Sequence, residues 1–246
     1  MGVPKMANRE VCNVLFCEYK TKKPFLNMDY ANVSTAEMTG ESVYAHGGWG
    51  HPKRVTFFGE RGGTISFETQ ITPFDLYSLM TGGDIESGAN WLKREVVAAT
   101  EAGKLTVTSK TATTATVFKA DDDCGTAISG ALSNGTFTAG ETGGIAIGDK
   151  CVVYYMEELT SAQKISIKST TFPKYFTAYM ETKDKTEAGE DVWLRMIAWK
   201  CAPQTDFTLE MSNNGDPASV TITCDLMVDT ENDNNILDMI MLDENE

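Results

Sequence analysis

Residues 164–229 read KISIKSTTFPKYFTAYMETKDKTEAGEDVWLRMIAWKCAPQTDFTLEMSNNGDPASVTITCDLMVD. Alternation runs through most of this stretch. Val220, Ile222, Cys224, Leu226 and Val228 fall on one side, with Thr221, Thr223 and Asp225 on the other. Phe207, Leu209 and Met211 alternate likewise with Thr208 and Glu210. A period of two marks a strand with one buried and one wetted face. Three clusters, KDKTEAGED (183–191), CAPQTD (201–206) and SNNGDPAS (212–219), hold the Gly, Pro, Asn and Asp that chain reversals need. The stretch predicts four antiparallel strands in a meander, the centre of an all-β domain.

Outward from that centre, REVCNVLFCEY (9–19) predicts an apolar strand, and KTKKPFLNMDYANVST (20–35) a basic, then polar, linker. EMTGESVYAHGGWGHPK (37–53), rich in glycine and aromatics, reads as the tip of a long hairpin or loop. Residues 54–71 predict a strand pair. Val55 and Phe57 alternate with Thr56 and Phe58, GERGG (59–63) turns, and Ile65, Phe67 and Ile71 alternate with Ser66, Glu68 and Gln70. The period then changes. Thr72 is placed to cap a helix, with Pro73 at its first position and Asp75 three residues after the cap. Phe74, Leu76, Tyr77 and Met80 supply an apolar stripe, and Gly82-Gly83 ends the helix.

Residues 100–157 have another texture, dominated by Thr, Ala and Gly. Short β-branched runs at 104–108, 113–119 and 151–155 are separated by DDDCG, SNG and ETGG turns. They predict a small inserted β-rich subdomain, near the least size that folds alone. The expected division is therefore 1–99 with 158–246 as the main β domain, and 100–157 as the insertion. The C-terminal ENDNNILDMIMLDENE places Ile236, Leu237, Ile240 and Met241 among acids, which implies docking on something or a short helix.

Thirty-five acidic residues against 21 basic give a net charge of −14. Such a surface repels nucleic-acid phosphates and anionic membranes, which argues against DNA binding. It does not argue against a surface past which DNA slides. The six cysteines contain no C-x-x-C pair and are too scattered for a zinc site; Cys224 reads as a buried thiol. MGVPKMANRE is not a signal peptide, and Met6 stands where myristoylation needs Ser or Thr. No run approaches the ~20 apolar residues that span a bilayer, so synthesis and assembly in the host cytoplasm, without a membrane partner, are expected.

Catalytic signatures are missing: there is no G-x-S-x-G, no Walker loop and no G-x-G-x-x-G after a strand. His46 and His51 would need a third ligand to hold a metal, with Glu41 and Glu60 the nearest in sequence. An aromatic loop resting on a neighbour accounts better for HGGWGH. Asp121-Asp122-Asp123 lacks calcium-loop spacing, and Glu157-Glu158 has no inferable cleft. Neither an enzyme nor a cofactor is expected.

The order of features resembles a known family. A strand ending at Phe172-Pro173, an acidic hairpin, an apolar strand and the ending FTLEMSNNGDPASVTITCDLMVD resemble the tail tube proteins of tailed bacteriophages, over about residues 1–95 and 158–246. The resemblance implies a two-sheet antiparallel β-sandwich or barrel with one flanking α-helix, a fold shared by type VI secretion tubes. It further implies hexameric rings stacked around a channel for DNA. Other copies of the chain would be its partners, with a tail sheath where the tail contracts, and tape-measure, baseplate and tail-terminator proteins. The insertion departs from the common pattern. Two other readings stay open: a capsid decoration or tail-terminator protein, and a carbohydrate-binding adhesive module using Trp49, Trp91, Trp193 or Trp199 as platforms.

Within the tube reading, Tyr44, His46, Trp49 and His51 are expected at an inter-ring or inter-subunit contact. Residues 1–10 and the tail carrying Ile236, Leu237, Ile240 and Met241 are expected to bridge rings, and the insertion to lie outside. The polar faces carry Thr64, Ser66, Glu68, Gln70, Thr208, Glu210, Thr221, Thr223 and Asp225, without Lys or Arg. Some of Glu68, Glu210 and Asp225 are expected to face the lumen.

Overall fold

Residues 5–140, 144–211, 213, 215 and 217–242 are described by a computed structural model of the chain. In chain order they form strands β1 (Met6–Asn8), β2 (Asn13–Glu18), β3 (Pro24–Met28), β4 (Val33–His46) and β5 (Lys53–Thr69), then helix α1 (Phe74–Thr81). Strands β6 (Ile85–Ala98), β7 (Lys104–Thr106), β8 (Ala115–Lys119), β9 (Gly130–Ser133), β10 (Thr136–Ala139) and β11 (Lys150–Ile165) follow. The order ends with β12 (Phe176–Thr186), β13 (Asp191–Pro203), β14 (Val220–Met227) and β15 (Leu237–Leu242). The fold is mainly β, with antiparallel sheets and, among the described residues, one short helix. Two units divide the chain: Met1–Asp84 with Ile165–Glu246, and Ile85–Lys164. The second unit takes in β6 and nearly all of β11, so it is wider than the expected 100–157.

The first unit holds one nine-stranded sheet in the order β3-β2-β12-β13-β14-β5-β4, with β1 added to β12 and β15 to β13. One edge of β13 serves two neighbours: residues 193–198 pair with β15 and 200–203 with β14. β2 and β5 stand four strand spacings apart in this order, roughly 19 Å if the sheet were flat. Yet the ring of Phe16 in β2 lies 5.9 Å from that of Phe67 in β5, and 5.3 Å from Phe176. The sheet is therefore curled into two facing layers, a sandwich made from one continuous sheet. Its filling follows the alternation: Val220, Ile222, Cys224 and Leu226 are buried with Ile65, Phe67, Val14 and Phe16. Burial of a large aliphatic or aromatic side chain contributes about 1.5–3 kcal/mol.

Leu76, Leu79 and Met80 of α1 join that core, while Phe74, expected in the stripe, is 38% exposed. The helix starts one residue later than expected. Pro73 keeps an extended ψ of 152° and occupies the N-cap, and no side chain caps it, so Thr72 does not. The expected stop at Gly82 is present, with φ 71° and its N–H donating to the Ser78 carbonyl at 2.9 Å. A Cβ at Gly82 would lie 2.3 Å from the carbonyl oxygen of Phe172, so glycine is required there twice over.

Three local expectations fail. FTLEM (207–211) is not a strand: the ladder between β13 and β14 gives out at the bond from Gln204 N to Thr223 O, and the chain lifts away. Phe207 tucks against the core, but Leu209 is 45% and Met211 91% exposed. Alternation over five residues carries no information about whether a partner edge exists. GERGG (59–63) does not turn either; β5 runs through it opposite β4, with a register shift between Gly40 and Ser42. A Cβ on Gly63 would come 2.3 Å from the Glu37 carbonyl oxygen, so here glycine serves close strand approach and not reversal. Finally, Lys164 and Ile165 close β11, residues 166–175 are irregular, and the strand expected to open the meander begins at Phe176. Within the SNNGDPAS turn, residues 212, 214 and 216 lie outside the described residues.

The second unit consists of two three-stranded sheets, β7-β10-β9 and β6-β11-β8. Leu105, Val117, Phe137, Val153 and Tyr155 fill its own core. The Glu95 carboxylate ties this unit together, accepting from Tyr155 Oη at 2.7 Å, Thr108 Oγ1 at 2.7 Å and Thr108 N at 3.1 Å. Residues 141–143 of the expected ETGG turn lie outside the described residues.

Candidate assembly surfaces

Strand register sets the polar residues of β4, β5 and β14 in rows across one face. Val33, Glu68 and Thr221 form one row, Thr35, Ser66 and Thr223 the next, and Glu37, Thr64 and Asp225 a third. The residues between them in β5 and β14, Ile65, Phe67, Ile222 and Cys224, point into the core. Glu68 and Asp225 therefore share a face, as alternation implies, and Glu37 joins them. The Asp225 carboxylate accepts from Gln204 Nε2 at 2.8 Å. Glu37, Glu68 and Asp225 form no ion pair among the described residues. No Lys or Arg stands in the three rows. Further along this face of β13, Lys200 holds its ammonium over the rings of Tyr175 and Tyr19, 4.8 and 5.5 Å from their centroids. Glu210 is on no strand. It lies in the irregular stretch after β13, where it lines a groove of about 540 Å³ with Asp206, Thr208, Thr221 and Thr223. The three rows and the groove together carry carboxylates and no Lys or Arg, and so repel anions.

The expected contact loop is a ribbon. β4 and β5 pair from Val33↔Glu68 out to His46↔Lys53, and only residues 47–52 remain for the turn. Beyond Gly63, where pairing with β14 ends, the two strands have only each other. Val43 faces Phe57 and Ala45 faces Val55 on one side of the ribbon; Phe58 and Tyr44 lie on the other. Val43, Val55, Phe57 and Phe58 are 50–86% exposed, and Trp49 at the tip is fully exposed. Lys53 Nζ sits 3.5 Å from the centroid of the Tyr44 ring, and Arg54 Nε donates to the Gly47 carbonyl at 2.9 Å. His46 Nδ1 bonds the His51 carbonyl oxygen at 2.9 Å, so this imidazole braces the turn. Among the described residues no group of three His, Cys, Asp or Glu is placed to hold a metal.

Both expected arms lie on their own sheet. β1 pairs with β12, and Asn8 Nδ2 donates to Thr182 Oγ1 at 3.0 Å and to Asp184 Oδ1 at 2.6 Å. The tail forms β15 along β13, with Trp199 Nε1 donating to Asp238 Oδ2 at 2.8 Å. Ile236 and Leu237 pack on the core, while Ile240 and Met241 are 39% and 42% exposed. Residues 1–4 and 243–246 of these arms lie outside the described residues.

The thiols offer no reactive centre in the first unit. Burial raises the pKa of Cys201 to about 12 and that of Cys224 well above its usual 9.0; Cys12 and Cys17 are raised by the same cause. No described helix is long and apolar enough to cross a membrane. The profile of the YomU/Tube protein family matches residues 9–240. The chain belongs to the YomU/Tube protein family. It is thus a structural protein of the phage tail tube and a component of the virion tail. No curated protein matches it. The YomU/Tube match runs through residues 85–164 as well, so the second unit is part of what the family profile spans. Sequence reasoning passed over Glu37, because 37–53 read as a hairpin tip or loop with no register to assign its faces.

Proposed function

We propose that this tube protein forms hexameric rings that stack into a bore through which DNA passes. The observation that supports this most is the acidic, cation-free face shared by β4, β5 and β14. Cations along a bore would form phosphate contacts, and the released counterions would make DNA bind. Carboxylates repel phosphates instead, and stacked rings set several of them within one Debye length, about 10 Å at 0.1 M salt. A duplex then slides without adhering. β3 and β4 end the sheet order of the first unit, and ring closure is the arrangement that covers such edges. The ribbon meets a neighbouring copy, and exposed Ile240 and Met241 extend the contact between rings. The second unit lies on the outside, since a folded unit inside the bore would stop a duplex. Tape-measure, baseplate and tail-terminator proteins meet the tube at its bore and ends, a sheath surrounds it where the tail contracts, and assembly takes place in the host cytoplasm. The role is structural and uses no catalysis.

Negative-stain microscopy of the purified protein tests the assembly: rings and tubes are expected, and monomers alone at high concentration would overturn it. Glu68→Lys, Glu210→Lys and Asp225→Lys combined should leave rings intact and slow DNA ejection, with the slowing relieved as salt rises. Ejection at the normal rate would remove these acids from the lumen.

A further inference from the structure

The ribbon's distal residues differ in charge from the rest of the molecule. From Ser42 to Phe58 there is no Asp or Glu, in a chain with 35 of them, while Lys53, Arg54, His46 and His51 crowd the turn. Eight residues of β4, 39–46, extend past the last pairing with β14, which carries the tip roughly 26 Å beyond that pairing. A fully exposed tryptophan on a basic, projecting tip is shaped to enter something acidic and apolar on another molecule.

The first unit presents such a site. Beside α1 lies a cavity of about 570 Å³, walled by Phe25, Leu79, Tyr175 and Phe176. Glu18, Asp75 and Asp84 also line it, and Lys20 and Lys174 leave these five charges at net −1. Trp49 is solvent-exposed in its own chain, so it does not fill this cavity there.

We infer that Trp49 of one copy inserts into the cavity beside α1 of another, with Lys53 and Arg54 set against Asp75 and Asp84. The occupant is a second copy because the two surfaces complement each other in charge and polarity, and the chain carries both. The contact is head-to-tail, since tip and cavity are different patches, and a head-to-tail contact propagates into rings or filaments. An indole seated in an apolar cavity and surrounded by charge is the usual composition of a binding hot spot. This inference rests on the ribbon being an assembly contact and names its receptor.

A photo-crosslinking residue placed at position 49 of the full chain tests it in assembled tubes. Cross-links from one copy to residues 18–25, 74–84 or 174–176 of another are expected. Cross-links to any other part of a neighbouring copy would overturn the cavity as receptor and leave the ribbon as an assembly contact. Normal tubes from a chain lacking residues 42–51 would overturn both. In unlabelled protein, Trp49→Ala should raise the concentration needed for tube growth on the order of 30-fold. An unchanged threshold would also count the cavity out, because Trp49 is fully exposed and its removal does not disturb the fold.

Discussion

Tyr19 and Asp229 lie 210 positions apart and share a hydrogen bond of 2.5 Å from Oη to Oδ1. Asp229 is 2% exposed, and its other described partner at that oxygen is Glu231 N at 3.2 Å. The bond to Asp229 is the first cause, and burial the second, that push the tyrosine up to about 12. Its folded value thus exceeds the ordinary 10.0, so this stabilisation is complete below pH 10 and is lost as pH rises through about 12. Tyr19→Phe should lower unfolding free energy by about 1 kcal/mol at pH 7, the partial solvent access of the ring discounting a charge-assisted bond. A shifted urea midpoint at unchanged slope would show this, along with a flatter loss of stability between pH 10 and 12. An unshifted midpoint would mean that water replaces the phenol at no cost. Nothing in the sequence connects these two residues. By contrast, Cys224 was legible as a buried thiol, because strand period alone assigns it to the inner face.

Among elements, α1 shows what local chemistry can and cannot reveal. Its end was legible because a glycine pair after an apolar stripe has few other uses; its start was misplaced because Thr-Pro offers two registers one residue apart. Gly82→Ala imposes both a left-handed φ and a clash with the Phe172 carbonyl. The change should cost about 2 kcal/mol or more, lowering the melting temperature by roughly 4–8 °C. A melt within a degree of wild type would mean that residues 172–173 shift freely. β14 and the inner half of β5 were legible from alternation, since both are paired on their flanks and buried on one side. β6 was not: Trp91-Leu92 and Val96-Val97 put apolar residues on both sides, and in the structure both sides are partly open to solvent. β3 hid in a segment read as a linker because lysines precede it and it opens on Pro24. Residues 37–53 read equally as a hairpin tip or a loop, because glycines that permit close pairing and a bulge are also what loops are made of; the structure has the hairpin. Of the candidate site residues, Glu68 and Asp225 were placed on one polar face through period, as the register has them. Glu210 was assigned by the same rule to a strand that does not exist, and reaches the polar face only because the irregular segment runs beside Thr221 and Thr223.

At the scale of the whole molecule, the second unit is closed on itself. Lys164 Nζ and Glu86 Oε2, next to its two ends, pair at 2.8 Å. Residues 85–164 produced alone should therefore show a β-type circular dichroism spectrum and a cooperative melt. The remainder, with Asp84 joined to Ile165 by a short linker, should still fold. A disordered spectrum from the isolated segment would show that it depends on the rest of the chain. The first unit, by contrast, is assembled from both ends of the sequence. Glu68 pairs with Thr221 and Phe16 with Ala178, more than 150 residues later in each case. The order of synthesis therefore becomes a timer. The ribbon is a local hairpin with both strands made early, whereas the cavity beside α1 needs residues 174–176, some 120 residues further on. At about 5–20 residues per second, that delay is roughly 6–24 s. On the contact inferred above, a nascent chain carries a knob and no hole throughout that delay, so two unfinished chains on one messenger have no way to join each other.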